Sequence, residues 1–490
     1  MSIPETLREL SENVRSRFFI GGEWVRPKSP ETRTLISPVD ESPWIDAPVA
    51  NVADVNNAVS SARKAFDQGA WSRASPAWRA ERLRGMSDIV RVRSQLLANV
   101  WTAEVGAPIT FAKQFVPFAS AMLDYYATLL ESYRFQDVRP TRLGHARVRR
   151  EAIGVAALIV PWNATTPILS FKLAAALAAG CTVVVKSPPE TPFDALILAE
   201  AGEAAGIPPG VLNVITADRI QGSHLVASPG IDKVSFTGST AAGKQIAKVC
   251  IDRMTRFTLE LGGKSAAIIL PDADLTQTLP SLVPFTVPFS GQICFAQTRV
   301  LIPRIRAKEI EDAVSEVFGG LNVGDPWKEE TQLGPLSSAA QMKKTLEYIQ
   351  QGQEQGARLL VGGQRDPKSS RGYFVLPTVF TDVTSRMSIA RDEIFGPIVS
   401  IMLYDGIDEA ISIANSSEYG LSGTIFSSDP ERAYAVATKI QSGHIGVNGF
   451  DMAPGVPFGG YKSSGMGREG GPEGLEEFLE TQAVYLPGAP

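Results

Sequence analysis

The stretch "VAALIVPWNATTPILSFKLAAALAAGCTVVVK", residues 155–186, decides the fold. Its two ends, "VAALIV" and "CTVVVK", are short apolar runs that predict buried strands. Between them, Thr166-Pro167 predicts the start of a helix that continues through "ILSFKLAAALAAG". A strand, a helix and a second strand in immediate succession predict a parallel sheet.

The same unit repeats down the chain and extends this sheet. The helix "FDALILAEAGEAAG", the strands "VLNVIT" and "DKVSFTG", the helix "AAGKQIAKVCIDRM" and the strand "RFTLEL" follow in order. They predict an α/β fold with a doubly wound, Rossmann-like parallel sheet, which binds ligands beyond the carboxyl ends of its strands. Four residues that follow strands are therefore expected on one rim: Asn163, Lys186, Gly238 and Glu260.

Other patterns flank this sheet. Residues 54–133 carry apolar residues at three- and four-residue spacing, which predicts helices in an outer layer. A second alternation of strands and helices begins near residue 299 and predicts a second α/β lobe. Pro280, Pro284 and Pro288 precede it, and because a proline inside a helix costs about 3 kcal/mol, we expect this segment to be bent or partly unwound.

Composition excludes several classes of partner. The 490 residues include 47 basic and 52 acidic side chains, a net charge of -5 that disfavours nucleic acid and anionic membranes. The N-terminus lacks an apolar core of signal-peptide length, and prolines break the longest uncharged windows, so a soluble cytoplasmic protein is expected. No metal site, disulfide framework or Cys-His dyad is expected, because the cysteines and histidines are scattered: Cys181, Cys250, Cys294, His145, His224 and His444.

Three positions have a functional and a structural interpretation. Gly238 and Ser239 in "SFTGSTAAGK" lie at a strand-to-helix junction, which suits a phosphate but also suits a simple turn. Lys186 could reach a ribose hydroxyl or be a surface lysine. Glu260 directly follows a buried strand, where burial would raise the pKa of a general base toward neutrality, although a salt-bridged glutamate is the alternative.

Cys294 has two interpretations as well. A small buried apolar residue is the ordinary role of a free cysteine. Its neighbours Gly291 and Gln292 instead favour an exposed turn. A reactive thiolate requires a partly open, electropositive setting, and that setting is expected around the sulfur if it is a nucleophile.

Seven motifs in one order carry a family resemblance. They are "PWN" (161–163), "VVVKSPPETP" (183–192), "FTGSTAAG" (236–243), "LELGGK" (259–264), "GQIC" (291–294), "EIFGP" (393–397) and "PFGGYKSSGMGRE" (457–469). The chain resembles the NAD(P)-dependent aldehyde dehydrogenase superfamily over nearly its whole length.

The resemblance implies a reaction and its catalytic residues. Cys294 would be the nucleophile that attacks the aldehyde carbonyl. The side-chain amide of Asn163 and the backbone N–H of Cys294 would stabilise the alkoxide. After hydride transfer, water activated by Glu260 would hydrolyse the thioester to a carboxylic acid.

The resemblance also implies a dinucleotide cofactor. Ser239 and Trp162 would meet the pyrophosphate, and Phe395 would pack near the nicotinamide ribose. Lys186 and Glu393 would bind ribose hydroxyls between them. Two further cofactor positions are Gly238 and Leu261. Many NAD-preferring relatives have a glutamate where this chain has Pro189, so NAD is favoured and NADP stays possible.

By alignment with the family, seven uncharged residues would line the substrate tunnel: Ala164, Ile168, Phe171, Ile293, Phe295, Met452 and Phe458. Such a pocket offers no partner to a charged tail. The expected substrate is therefore an apolar aldehyde of medium size, whether aliphatic, aromatic or terpenoid. The structural alternative is that these positions belong to the core.

The resemblance divides the chain into three parts. Residues 1–133 and 153–262 would form the cofactor-binding domain, and residues 263–477 the catalytic domain. Residues 134–152 and 478–490 would be oligomerisation strands, which implies a homodimer or homotetramer. Two other functions remain open, a thiol-dependent esterase and a catalytically silent relative that serves as a binding or structural protein.

Overall fold

The computed structural model of the protein describes residue 5 and residues 8–488. The strands of this part form sheets of eight, seven, three and two strands. They are β1 (Phe18–Ile20), β2 (Glu23–Val25), β3 (Thr32–Ile36), β4 (Pro43–Pro48), β5 (Gln136–Thr141), β6 (Gly144–Ala152), β7 (Val155–Ile159), β8 (Thr182–Ser187), β9 (Leu212–Thr216), β10 (Lys233–Thr237), β11 (Arg256–Glu260), β12 (Ala266–Ile269), β13 (Arg299–Pro303), β14 (Arg358–Val361), β15 (Thr378–Thr381), β16 (Ile398–Tyr404), β17 (Gly423–Phe426), β18 (Gly446–Val447), β19 (Gly465–Met466) and β20 (Leu479–Pro487).

Helices surround the two large sheets. They are α1 (Glu12–Ser16), α2 (Val52–Gln68), α3 (Pro76–Val92), α4 (Ser94–Val105), α5 (Ile109–Phe115), α6 (Phe118–Ser132), α7 (Thr165–Ala179), α8 (Phe193–Ala204), α9 (Arg219–Ala227), α10 (Thr240–Asp252), α11 (Leu275–Thr286), α12 (Ala307–Gly319), α13 (Ala339–Glu354), α14 (Ser388–Arg391), α15 (Ile407–Asn415), α16 (Pro430–Ala437) and α17 (Gly471–Glu476). None of the described helices is both long and apolar enough to cross a membrane.

The first sheet confirms the predicted doubly wound α/β class. Its order is β19-β11-β10-β7-β8-β9-β1-β2, and the five strands from β11 to β9 run parallel. Helix α7 is buried along almost its whole surface, as expected of a helix that is apolar on every side. It ends at Gly180 in the left-handed conformation (φ 97°), which glycine adopts without steric cost.

The second sheet has the order β14-β15-β16-β13-β12-β17-β18 and carries the second lobe. Its strands run parallel except for the β14–β15 pair. The loop between α11 and β13 brings Cys294 toward the first sheet. The division into domains stays a proposal. Strand β19 does not follow it, because β19 belongs to the 263–477 segment but pairs with β11 of the first sheet.

The three-stranded sheet combines the two segments proposed for oligomerisation. Strand β6 lies between β20 and β5 and pairs antiparallel with both. Residues 489–490 of the proposed segment lie outside the described residues. Strands β5 and β20 are the two edges of this small sheet.

Helix α11 is more regular than its prolines suggest. It continues past Pro280 and Pro284 to Thr286, and the chain unwinds only from Val287 onward. Both prolines are exposed, so water can bond the carbonyl groups that lose an N–H partner. The expected unwinding is therefore limited to the turn that begins at Pro288.

Candidate active site

A strained turn presents Cys294. Phe289 and Ser290 adopt positive φ angles of 47° and 55°, which few non-glycine residues do. A Cβ on Gly291 would lie 2.2 Å from the carbonyl oxygen of Gly396, so only glycine fits there. The turn is buried rather than exposed as expected: Gln292 is enclosed, and its side-chain oxygen accepts a hydrogen bond from the Ser337 N–H at 2.9 Å.

The side chain of Cys294 is partly accessible and lies where two cavities meet. One cavity, the substrate cavity, is lined by Asn163, Glu260 and all seven predicted tunnel residues. The other, the cofactor crevice, has a volume of about 230 Å³ and is lined by Trp162, Gly238, Ser239, Leu261, Glu393 and Phe395 among others. Both cavities include Asn163, Ile168 and Thr237 as well as the sulfur.

The charges around the sulfur differ from the sequence expectation. Burial raises the pKa of the Cys294 thiol, and the carboxyl groups of Glu393 and Glu260 raise it further. The setting is thus not electropositive, and these surroundings favour the thiol over the thiolate. The sulfur therefore needs a base, or a positive charge brought in by a ligand, before it can attack.

Asn163 is held beside the sulfur by two hydrogen bonds. Its side-chain nitrogen donates to the backbone carbonyl oxygen of Gln292 at 2.9 Å. Its backbone carbonyl accepts from the indole N–H of Trp101 at 2.7 Å. An amide nitrogen has two hydrogens, so one stays available to an oxyanion. The Cys294 N–H faces its own sulfur, makes no hydrogen bond to another of the described residues, and can be the second donor.

Glu260 ends strand β11 inside the substrate cavity. Both of its carboxyl oxygens are buried and lack a hydrogen-bond partner within residues 8–488, as does the hydroxyl of the adjacent Thr237. Burial raises the pKa of Glu260 well above its ordinary value, and Glu469 raises it further. These unpartnered oxygens are free to bind a water molecule, and the raised pKa favours proton uptake.

Behind Glu260 lies an ion pair that the sequence reasoning missed. The Lys172 ammonium contacts the Glu469 carboxylate and donates to the Ser235 hydroxyl at 3.2 Å. Lys172 is fully buried, and its charge lowers the pKa of Glu260 while that of Glu469 raises it. A signal existed in the sequence, because Lys172 is the one charge in the apolar run "ILSFKLAAALAAG".

The N-terminus of α10 forms one end of the cofactor crevice. Ser239 caps this helix, and its hydroxyl accepts from the Ala242 N–H at 3.3 Å. The N–H groups of Thr240 and Ala241, in the first turn, have no partner in the helix. Two free N–H groups and a helix dipole fit the pyrophosphate of a dinucleotide.

Glu393 and Phe395 form the opposite wall. The carboxylate of Glu393 accepts from the Gly263 N–H at 3.1 Å, and burial raises its pKa. Phe395, with φ 64°, packs edge-on against Trp162 at 5.7 Å between ring centroids. Sequence reasoning missed Lys344, which lines this crevice and donates to the Glu393 carbonyl at 3.1 Å.

Lys186 and Pro189 are not among the residues that line the crevice. Lys186 is the last residue but one of β8, which lies next to β7 in the sheet, and burial lowers the pKa of Lys186 to about 8. Its side chain runs toward α9, since a Cβ on Gly222 would lie 3.7 Å from Cε of Lys186. Pro189 is buried in the loop after this strand.

Aromatic residues from the outer helical layer also line the substrate cavity. They are Trp101 from α4 and Phe111 and Phe115 from α5. The Trp101 and Phe111 rings meet edge-on at 5.6 Å, and Phe111 and Phe115 lie 4.4 Å apart. Their helical spacing is that of ordinary core residues, so no sequence pattern distinguishes them from the core.

Comparisons with known proteins agree with this geometry. The sequence model of the aldehyde dehydrogenase family matches residues 24–484. The chain is 45% identical to geranial dehydrogenase from Castellaniella defragrans, covering 96% of this chain and 98% of that protein. It is 41% identical to 3-succinoylsemialdehyde-pyridine dehydrogenase from a Pseudomonas species, covering 95% and 98%.

Solved structures are similar as well. A Mycobacterium tuberculosis aldehyde dehydrogenase complexed with NAD+ has a TM-score of 0.94 and 40% identity, covering 96% of this chain and 98% of that one. A mutant of aldehyde dehydrogenase C from Pseudomonas syringae, complexed with NAD+ and octanal, has a TM-score of 0.94 and 39% identity, covering 97% and 98%. The resemblance inferred from the seven motifs is confirmed, and the chain belongs to the aldehyde dehydrogenase family of oxidoreductases.

Proposed function

We propose that the protein oxidises an apolar aldehyde of medium size to the carboxylic acid, with NAD as the cofactor and NADP as a possible substitute. The observation that carries this proposal is the position of Cys294 at the meeting point of the two cavities, with Asn163 and Glu260 beside it. A sulfur in that position can bond to a carbonyl carbon from one side while hydride leaves toward the other.

The chain's own residues would divide the reaction into two stages. In the first, the Cys294 thiol loses its proton to solvent and its sulfur adds to the aldehyde, and the amide of Asn163 and the Cys294 N–H stabilise the resulting alkoxide. A bound nicotinamide supplies the hydride acceptor. In the second stage, Glu260 takes a proton from water, which attacks the thioester and releases the acid and the thiol.

The residues of the crevice fit a dinucleotide. The free N–H groups at the start of α10 suit a pyrophosphate, and the Glu393 carboxylate can accept hydrogen bonds from ribose hydroxyls. The two solved relatives described above bind NAD+ in their crystals. The absence of an acidic side chain at Pro189 removes one source of repulsion toward a 2′-phosphate, which keeps NADP possible.

The substrate class rests on the lining of the cavity. Its wall consists of aromatic and aliphatic side chains, with polar atoms gathered near the sulfur. An anionic tail would lose its hydration there without gaining a partner, since the charged side chains that line this cavity are the carboxylates of Glu260 and Glu469. The relatives named for geranial and crystallised with octanal are in keeping with an apolar substrate.

A substrate panel tests the proposal. Butanal and succinic semialdehyde form a matched pair, because they have the same carbon chain and differ by one carboxylate. NADH formation should be faster with butanal than with succinic semialdehyde, and faster again with octanal or geranial. NADPH formation from NADP should be slower than NADH formation from NAD. A preference for succinic semialdehyde would reject the substrate class. Ester cleavage without NADH formation would indicate the esterase, and neither activity a silent relative.

A further inference from the structure

His444 is a buried histidine that the proposed chemistry does not use. It lies between α16 and β18, and only 9% of its surface is exposed. Its Nδ1 is 3.1 Å from the carbonyl oxygen of Leu421. Its Nε2 is 3.2 Å from the backbone nitrogen of Gly459 and 3.0 Å from the carbonyl oxygen of Pro457.

We assign the tautomer of His444 from these contacts. A neutral imidazole donates from one nitrogen and accepts at the other. The Leu421 carbonyl can only accept, so Nδ1 carries the hydrogen, and Nε2 accepts from the Gly459 N–H. The Pro457 carbonyl is then left without a donor from the ring.

Protonation would reverse the bond at Nε2. An imidazolium donates from both nitrogens, so Nε2 would turn from the Gly459 N–H to the Pro457 carbonyl. Burial lowers the pKa of His444, Arg468 lowers it further, and the carbonyls of Pro457 and Leu421 oppose the shift. The ring is therefore neutral at neutral pH and takes up a proton only at lower pH.

The turn held by His444 forms part of both catalytic and substrate surfaces. The ring of Phe458, which lines the substrate cavity, stacks on the His444 ring at 4.4 Å with an interplanar angle of 18°. A Cβ on Gly459 would lie 2.6 Å from Oε1 of Glu260, so this glycine supports the carboxyl group. Phe458 also exchanges two backbone hydrogen bonds with Glu469, at 2.5 and 2.7 Å.

Few charges face the ring. The side chains of Arg468 and Glu260 both approach Gly459. The backbone of Glu469 is hydrogen-bonded to the backbone of Phe458. Leu421 and Phe450, from the two other segments against the ring, carry no charge. Among the described residues, the Pro457 and Leu421 carbonyls favour a proton on His444, and Arg468 opposes it.

We propose that His444 is a positioning residue: in its neutral form it fixes the Pro457–Gly459 turn, and its protonation releases Gly459 and shifts the Phe458 wall of the substrate cavity. This inference rests on the proposed function, since it concerns how long aldehydes are held. It makes discrimination between long and short aldehydes dependent on pH.

The test is the ratio of kcat/KM for octanal to kcat/KM for acetaldehyde, measured from about pH 5 to 8. Both substrates need Cys294 and Glu260, so the titrations of those groups cancel in the ratio. Acetaldehyde is too short to pack against the Phe458 wall. We expect the wild-type ratio to fall about fivefold toward acid, which corresponds to the loss of one hydrogen bond.

Two variants and a control show whether His444 causes the pH dependence of this ratio. His444→Phe keeps a ring against Phe458 but cannot titrate, and His444→Gln keeps an acceptor for the Gly459 N–H but cannot titrate either. In both, the ratio should become independent of pH. His224→Asn is the control, because His224 bonds Asn56 at 2.7 Å on the surface. That control should keep the wild-type dependence.

A flat wild-type ratio, or a pH-dependent ratio in either His444 variant, would overturn the proposal. If no aldehyde reduces NAD, the proposed function fails instead, and the positioning role is tested separately by hydrogen exchange. Protection of the Gly459 N–H in the wild-type protein, corrected for intrinsic rates, should decrease in acid. Unchanged protection would refute the role of His444 independently of activity.

Discussion

The reactivity of Cys294 depends on the groups around its sulfur. Because burial and two carboxyl groups hold the thiol in its neutral form, the rate of acylation should rise with pH. Cys294→Ala should abolish both aldehyde oxidation and any ester cleavage, measured as NADH formation and release of a chromogenic ester product. Cys250→Ala, in the apolar core between α10 and the first sheet, should keep both activities. Turnover in the Cys294 variant would contradict the mechanism.

Glu260 is expected to act after hydride transfer. Glu260→Gln keeps the size of the side chain but cannot take a proton from water. Stopped-flow measurements should show a burst of one NADH per active site, followed by a steady state slower by about 100-fold or more. A steady-state rate equal to that of the wild type would remove Glu260 from the second stage.

The Lys172–Glu469 ion pair should affect how steady-state kcat depends on pH. Glu469 raises the pKa of Glu260 and Lys172 lowers it. Glu469→Gln removes the first effect and leaves the second, so the pKa of Glu260 should fall. A base is inactive below its pKa, so the acid side of the kcat profile should move to lower pH. An unchanged or opposite shift in steady-state kcat would contradict this coupling.

Sequence motifs predicted the residues that perform chemistry better than those that support them. Cys294, Asn163 and Glu260 occupy short motifs whose order is specific to the family. Glu469 and Lys172 could not be paired in advance, because 297 positions separate them and only the fold brings them together. The electropositive setting expected around Cys294 was not found for a similar reason, since Glu393 and Glu260 come from distant segments that only the fold brings to the sulfur.

At the level of elements, periodicity predicted the strands and helices of the first sheet, because buried parallel strands and an all-apolar helix leave strong patterns. The prolines of α11 were harder to interpret, since their cost depends on exposure. Pro280→Ala would restore an N–H that can reach the Thr276 carbonyl. Helix propensity should raise the free energy of unfolding by about 3 kcal/mol. The loss of proline makes the unfolded chain freer, which lowers that gain by about 1 kcal/mol.

The measurement is the midpoint of thermal unfolding, which should rise in Pro280→Ala. Pro288→Ala is the matched control, since Pro288 occupies the first turn of a 3₁₀ helix, where proline is tolerated. Its midpoint should not rise. A midpoint for Pro280→Ala that is lower than that of the wild type would contradict the expected destabilisation of the helix by Pro280.

For the whole molecule, the small sheet β20-β6-β5 has two free edges and exposed apolar side chains. Tyr485 on β20 is 73% exposed. An edge strand of this kind favours pairing with another chain, and we expect a homodimer or homotetramer. Tyr485→Asp should lower the mass of the assembly by light scattering, whereas Tyr434→Asp, on helix α16 and 62% exposed, should not. Equal masses would place the interface elsewhere.

The pairing of β19 with β11 has a consequence for the folding of the chain during its synthesis on the ribosome. Glu260 emerges just past the midpoint of translation, but the segments that enclose it, Gly459, Gly465 and Glu469, emerge near the end. The early portion can collapse and pair its parallel strands without them. We therefore expect the surroundings of Glu260 to be complete only when synthesis is almost finished.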